Sequence, residues 1–289
     1  MLVDLISTTN ADGVRLDGAF FVPPLDAEPI GPVDSVLLIH GSRGSFSDPN
    51  TREMAEELRH IGYACLALNT TAHDTVWNYP ATGRNYGNAY EILDETSADL
   101  KAGVDYLWNA GYRHIALLGH SMGAVRVAYY AATQVDQRVA AVIPVSPVRL
   151  SYSYYMASGD AQEFKDIISH AQELKASGKG RELFDADFPI QQLFSAESYL
   201  DKHGPEERYN LINLAPKIEV PMFVMGGSLE THTRLLNMTK DLSDAAVNSP
   251  QGEYAIIEGG EHSIANRKKE ASTTVLRWLA SLSAQPVKV

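Results

Sequence analysis

The sequence predicts an α/β fold, a mostly parallel sheet with helices on both faces. Three observations predict it. Short continuous apolar runs, such as Val36-Leu37-Leu38-Ile39 and Ala64 to Leu68, read as strands buried on both faces. Between them lie apolar residues at helical spacing, such as Met54, Ala55, Leu58 and Ile61. The alternation of the two patterns favours β-α units over a helical bundle or a sandwich. The chain has 289 residues, 45% of them hydrophobic, enough to bury a substantial core in one large domain or one domain with an insertion.

The N-terminus reads as a hairpin, Leu2 to Ser7 and Val14 to Val22, turning at Asp12-Gly13 and ended by Pro23-Pro24. The Val36 strand follows. A helix then starts at Asp48-Pro49 and stops at Gly62, because proline suits a first helical position and glycine the residue past the last. After the strand Ala64 to Leu68, a polar loop is expected from Asn69 to about Ala89. Leu93, Leu100, Val104, Leu107 and Trp108 line one helical face, closed by Gly111. Ile115 to Leu118 is a strand, Ala124 to Ala132 a helix of small residues, and Ala140 to Val145 a strand. The rhythm breaks from about Ser146 to Ala215. About 70 residues between two strands is an insertion, since such connections are usually short. Its pieces read as helical, the clearest being Phe164, Ile167, Ile168, Ala171 and Leu174. Met222 to Met225 restores the strand pattern, Tyr254 to Ile257 is the last strand, and Val275, Leu276, Leu279 and Leu282 mark a closing helix.

Composition narrows the functions. A formal net charge of −12 argues against binding nucleic acid or anionic membranes, which need clustered Lys and Arg. The single cysteine, Cys65, sits in an apolar strand, so neither an internal disulfide nor a reactive thiol is expected. Met1 to Asn10 lacks a basic segment followed by an apolar one, and no run of about 18 apolar residues occurs. The expectation is a cytoplasmic protein with neither signal peptide nor membrane span. No H-E-x-x-H, paired cysteines, G-x-G-x-x-G or phosphate-binding loop appears, so no metal and no cofactor is expected. The oligomeric state is not legible.

The segment that carries chemistry is Gly119-His120-Ser121-Met122-Gly123. A bare G-x-S-x-G is only moderately specific, but this one directly follows a buried strand and precedes a helix. The turn holds the serine in a strained conformation at the sheet edge, and the glycines let the backbone pass close to its neighbours. Serine is a weak nucleophile and needs a base and an orienting acid. His262, in the loop leaving the last strand, is the expected base. His203 lies in the insertion, and His232 lies too close to the acid. Glu230, at the end of the Met222 strand, is the expected acid, with Asp241, Asp244 and Asp201 as rivals. The oxyanion requires backbone N–H donors, expected from Met122 and from the loop His40-Gly41-Ser42-Arg43-Gly44, where Ser42 is the donor. Arg43 is either a partner for a substrate carboxylate or a solvent-facing side chain.

These segments resemble the α/β-hydrolase superfamily. Leu38 to Gly41 matches its oxyanion loop, Gly119 to Gly123 its nucleophile elbow, Gly227 to Glu230 its acid turn and Gly259 to His262 its histidine loop. Glu230 stands where Asp is commoner, and Asn69-Thr70-Thr71 replaces the usual Asp-x-Arg-Gly turn. The resemblance implies an eight-stranded, mostly parallel sheet. It also implies a core domain of residues 1–147 and 216–289, and a helical cap of residues 148–215 over Ser121. Tyr152 and Tyr155 at the start of that cap either line a substrate pocket or pack the cap onto the core. The implied activity is that of a carboxylesterase-like enzyme (EC 3.1.1) acting on a small-molecule ester or acyl substrate. Alternatives on the same site are carbon–carbon bond hydrolysis and acyl transfer. A different class, a noncatalytic binding protein on the same fold, is disfavoured by an intact serine, acid and histidine.

Overall fold

The computed structural model describes residues 3–283. Leu2, expected to begin the first strand, lies outside the described residues. The chain opens with the hairpin β1 (Asp4–Thr9) and β2 (Arg15–Phe21), turned by Gly13 at φ 76°. Next come β3 (Ser35–Ile39), α1 (Pro49–His60) and β4 (Ala64–Leu68). Pro49 takes the first turn of α1, and Gly62, at φ 112°, turns the chain back into the sheet.

The loop expected after β4 contains a small hairpin instead, β5 (Trp77–Tyr79) and β6 (Arg84–Tyr86). Trp77 stacks on Tyr86 across it, with ring centroids 5.1 Å apart. Two strands of three residues are too short for a period of two to stand out. Helix α2 (Thr96–Asn109) follows, then β7 (Ile115–His120), α3 (Met122–Thr133) and β8 (Val139–Val145). Trp108, expected on the buried face of α2, is instead 36% exposed, and the Arg113 guanidinium, 4.3 Å over its ring, supplies part of the cover that the core does not.

Between β8 and the next strand of the main sheet lie α4 (Tyr152–Met156), α5 (Ala161–Ala176), β9 (Leu183–Ala186), β10 (Gln192–Ser195), α6 (Ala196–His203) and α7 (Leu211–Leu214). The helical expectation for this stretch needs correcting by one hairpin, in which Phe194 faces Phe184 across the strands. Its aromatics build a separate apolar cluster, with Tyr155, Phe164, Phe188, Phe194 and Tyr199 at its centre. The chain then returns through β11 (Met222–Gly227), α8 (Met238–Ala245), β12 (Gly252–Ile257) and α9 (Lys268–Ser281).

Eight strands form one sheet in the order β1-β2-β4-β3-β7-β8-β11-β12. β1 and β2 are antiparallel to their neighbours, and the pairs from β4 to β12 are parallel. Alternate strand residues serve opposite faces, as the pleat requires. Leu37 and Ile39 join α2, α3 and α8 in one core, whereas Val36 and Leu38 join α1 and α9 in the other. Each such fully buried aliphatic side chain contributes about 1.5–3 kcal/mol of transfer free energy. Cys65 lies in this second core, where burial pushes its thiol well above the ordinary range. Among the described residues, no helix is long and apolar enough to cross a membrane.

Candidate active site

All parallel strands end on one edge of the sheet, and the residues expected to do chemistry gather there. Ser121 forms the turn between β7 and α3 at φ 57° and ψ −117°, a conformation that L-residues rarely adopt. Its N–H donates to the Val145 carbonyl, 2.9 Å away, tying the turn to the end of β8. Close packing explains the flanking glycines. A Cβ on Gly119 would sit 2.1 Å from the Gly123 carbonyl oxygen, and one on Gly123 would sit 2.3 Å from the Ile39 carbonyl oxygen.

Gly123→Ala therefore tests the elbow. Inside a helix, alanine is normally the more stable residue by about 1 kcal/mol. Here the contacts are rigid backbone, so the sign should reverse, with a loss of about 1–3 kcal/mol or more in urea unfolding. A variant as stable as the parent would contradict the packing described.

His262 follows β12 and turns back over the sheet edge. Its Nε2 lies 3.0 Å from Ser121 Oγ and its Nδ1 lies 2.9 Å from Glu230 Oε1. With Nδ1–H donating to the carboxylate, Nε2 is left to accept the seryl proton. The Glu230 side chain is 5% exposed and that of His262 39%, so the carboxylate is sheltered while the imidazole remains accessible. Gly226 makes room for the carboxylate, since a Cβ there would lie 2.8 Å from Glu230 Oε2. The acid and histidine loops touch through backbone: Leu229 N–H donates to the Gly260 carbonyl at 3.0 Å, and Ser228 N–H to Ile257 at 3.0 Å. The rival acids are occupied elsewhere. Asp241 pairs with Arg149, Asp244 with Lys240, and Asp201 with Arg208 and the Leu93 N–H. His203 is buried in the insertion against Tyr199, 4.9 Å between ring centroids.

The loop after β3 is shaped by His40. Its Nδ1–H donates to the Gly41 carbonyl at 2.8 Å, and its Nε2 accepts from Thr70 N–H at 3.1 Å. The Gly41 carbonyl also accepts from Gly44 N–H at 3.3 Å. A trans peptide places the next N–H opposite that carbonyl, so the Ser42 donor is turned away from the His40 ring. Met122 is the first residue of α3, where a backbone N–H has no partner within the helix. Arg43 is exposed at φ 58°. Tyr152 is half-buried, 5.6 Å from the Phe164 ring. Tyr155 is fully buried, and its hydroxyl donates to the Arg149 carbonyl at 2.6 Å. Of the two readings of these tyrosines, packing is the one that describes Tyr155.

Several supporting residues escaped the sequence reading. His120 Nε2–H donates to the His262 carbonyl at 2.8 Å, and Asn50 Nδ2 donates to the Ser263 carbonyl at 3.0 Å, so the histidine loop is held from two sides. Burial, with His262 nearby, brings His120 down to about 4. Beneath the loop after β3, Arg126 Nη1 donates to the His40 carbonyl at 2.8 Å. The same guanidinium pairs through Nε with Glu91 at 2.7 Å, and Glu91 pairs with Lys202 of the insertion at 2.7 Å. Arg126, Glu91 and Lys202 are all buried. The x position of G-x-S-x-G and the His of Leu38-Ile39-His40-Gly41 were visible signals. The three charged residues come from distant segments and left none. Among the described residues, no three His, Cys, Asp or Glu side chains gather as a metal set.

His40 makes one consequence measurable. Burial, and then the Arg126 charge, lower it from 6.5 to about 3. A base depressed in the folded state costs stability as pH falls, because below about 6.5 the unfolded chain takes the proton first. His40→Gln should therefore remove about one proton, or about 1.4 kcal/mol per pH unit, from the pH slope of unfolding free energy between pH 6.5 and 4. Urea melts at several pH values measure that slope, whatever the variant's absolute stability. An unchanged slope would mean that His40 is not held neutral.

Comparison with known proteins agrees with this architecture. The family model described as alpha/beta hydrolase fold matches residues 34–277. Comparison with curated proteins gives no match. Among solved structures, Est1E from Butyrivibrio proteoclasticus is similar with a TM-score of 0.64 and 18% identity, over 95% of this chain and 97% of that one. The alpha/beta hydrolase GrgF from Penicillium sp. sh18 is similar with a TM-score of 0.67 and 16% identity, over 98% and 100%. The Pyrococcus furiosus esterase Pf2001 gives a TM-score of 0.61 and 18% identity, over 96% and 90%. At such identities these likenesses show the fold. With the family model spanning all the parallel strands and most of both cores, the chain belongs to the α/β-hydrolase fold family.

Proposed function

We propose that the protein is a serine hydrolase that cleaves a carboxylic ester, or a related acyl bond, of a small molecule. The observation that carries this reading is the continuous chain from Ser121 Oγ to His262 at 3.0 Å and from His262 to Glu230 at 2.9 Å. His262 takes the seryl proton as Ser121 attacks the carbonyl carbon. Glu230 orients the imidazole and offsets the positive charge that forms on it. The N–H groups of Ser42 and Met122 receive the oxyanion, with the N-terminal end of α3 adding its favourable dipole. Collapse of the tetrahedral intermediate expels the alcohol, protonated by His262, and leaves an acyl group on Ser121. Water, deprotonated by the same histidine, then releases the acid. Residues 148–215, with their own aromatic cluster, serve as a cap that excludes bulk water and shapes the pocket. The solved complex of ferulic acid with Est1E supports a small-molecule acyl substrate.

A fluorophosphonate probe tests the reading. It should label the folded protein, with the adduct mapped to Ser121 by mass spectrometry. A panel of p-nitrophenyl esters of graded chain length should show turnover. A folded protein that neither takes the label nor cleaves any ester would sink the proposal.

A further inference from the structure

Among the described residues, four Arg and Lys side chains are buried: Arg126, Arg149, Lys202 and Arg234. Three have an anion. Arg126 and Lys202 share Glu91, and Arg149 pairs with Asp241 at 2.7 Å. Arg234 has none among the described residues. It is 7% exposed, its Nε is without a hydrogen-bond partner, and the ionisable group that favours its charge is the Tyr155 hydroxyl, a neutral group. That hydroxyl gives its proton to the Arg149 carbonyl, so it offers the guanidinium only an oxygen lone pair. Two more buried nitrogens nearby lack partners, Arg149 Nε and His203 Nδ1, and the His203 ring lies 6.5 Å from that of Tyr155. A buried guanidinium without an anion is costly to a fold. A cluster of unmet nitrogens around it is a site short of an acceptor.

Its place ties this cluster to Ser121. Arg234 stands four residues past Glu230 on the loop leaving β11. Its carbonyl accepts from Arg149 N–H at 2.8 Å, and Arg149 stands on the segment leaving β8. At the ends of these same two strands, Val145 holds the Ser121 N–H, and Ser146 N–H donates to the Met225 carbonyl at 2.6 Å. Tyr155 and His203 belong to the insertion. The guanidinium therefore lies in the seam between the insertion and the sheet edge that carries Ser121, Glu230 and His262.

We propose that Arg234 binds a carboxylate of the substrate, so that the preferred substrates are acyl compounds with a free acid group, such as half-esters of dicarboxylic acids. This rests on Ser121 being the nucleophile and adds the substrate class. The planar fork of arginine matches a carboxylate through two parallel hydrogen bonds, which a lysine point charge does not. The ion pair forms in a water-poor seam, where such contacts discriminate most strongly. With the protein at a net charge of −12, an anionic substrate gains nothing from the global field and needs a dedicated cation.

The test compares kcat/KM for monoethyl esters of butanedioic to octanedioic acid with ethyl esters of the matching monocarboxylic acids, followed by pH-stat. The parent enzyme should prefer the half-ester at one or more lengths by about 10- to 100-fold, the range expected of a charge-assisted hydrogen-bonded contact. Arg234→Met should erase that preference while leaving the neutral esters close to parental rates, and Arg234→Lys should keep only part of it. Indifference of the parent enzyme to the carboxylate at every length overturns the proposal. So does an Arg234→Met variant that loses both substrate classes equally, because Arg234 then only braces Tyr155. Should Arg234→Met fail to fold, the parent's preference and Arg234→Lys decide the matter. Fluorophosphonate labelling and neutral-ester turnover are recorded alongside. Their failure sinks the serine hydrolase reading itself, whereas a labelled, active enzyme that ignores the acid group sinks only the role of Arg234.

Discussion

Ser121→Ala is expected to lower kcat on an activated ester by about 10⁴- to 10⁶-fold, with little change in the urea midpoint. The geometry explains both halves. The hydroxyl reaches His262 Nε2 at 3.0 Å, and alanine keeps the Cβ that packs beside Gly41, so the change removes chemistry rather than core. Removing a strained residue's hydroxyl does not relax its backbone, because φ 57° is imposed by the Val145 bond and the glycine contacts on either side. His262→Ala should cost a similar factor, and the double variant little more than either single one, since members of a triad act as a unit. Stopped-flow and steady-state assays measure kcat, and loss of fluorophosphonate labelling checks the nucleophile independently. Additive losses in the double variant would show that the two groups work separately.

Glu91→Gln should be the most destabilising single change at a distance from the nucleophile, by about 3–5 kcal/mol, the cost of stranding buried charge. Glu91 is fully buried and answers two cations at 2.7 Å each, Arg126 from α3 and Lys202 from the insertion. Burial works against its ionisation, but the Arg126 and Lys202 charges overcome that and hold the carboxyl at about 2, below its ordinary 4.5. For a depressed acid, the stabilisation is present above about 4.5 and is lost as pH falls toward 2. Glutamine keeps the shape and removes the charge, leaving two cations facing each other without an anion. That loss is a large share of the 5–15 kcal/mol by which folded domains exceed their unfolded chains. Denaturant unfolding at pH 7 measures it, and a loss under about 1 kcal/mol would mean that the pair is not desolvated as described. Activity should fall with it, because Arg126 also holds the His40 carbonyl, where the loop proposed to bind the oxyanion begins.

How much of this was legible in the chain follows from how local each signal is. Ser121 announces itself because the elbow needs glycine two residues to either side and a strand before it, all within ten residues. His262 and Glu230 are legible by their position after strands, and Gly226 and Gly227 explain why glycines precede the acid. The Glu91 network was silent, since its members lie 35 and 76 residues apart and each alone looks like an ordinary surface charge. The hairpins β5–β6 and β9–β10 were silent for a different reason. Strands of three or four residues hold too few alternations to compete with a loop reading for the first or a helical reading for the second, and their cross-strand partners, such as Phe184 and Phe194, are set by pairing rather than by local pattern. Trp108 shows the limit of apolar periodicity, because a nearby arginine can cover a ring that the core does not. Tyr155 shows the same limit from the other side. Its place in the insertion suited a pocket wall and packing equally, and only three-dimensional contacts put its ring inside an aromatic cluster.

Glu230 and His262 follow adjacent strands at the border of the sheet, stitched together by the glycine contact of their loops, whereas Ser121 follows an inner strand. Peripheral strands open at lower free-energy cost than central ones. Fraying of that border would carry Glu230 and His262 away as a pair and leave Ser121 behind on intact scaffolding. On the proposed chemistry, such a molecule goes quiet before it melts, and its dormancy is undone simply by the border closing again.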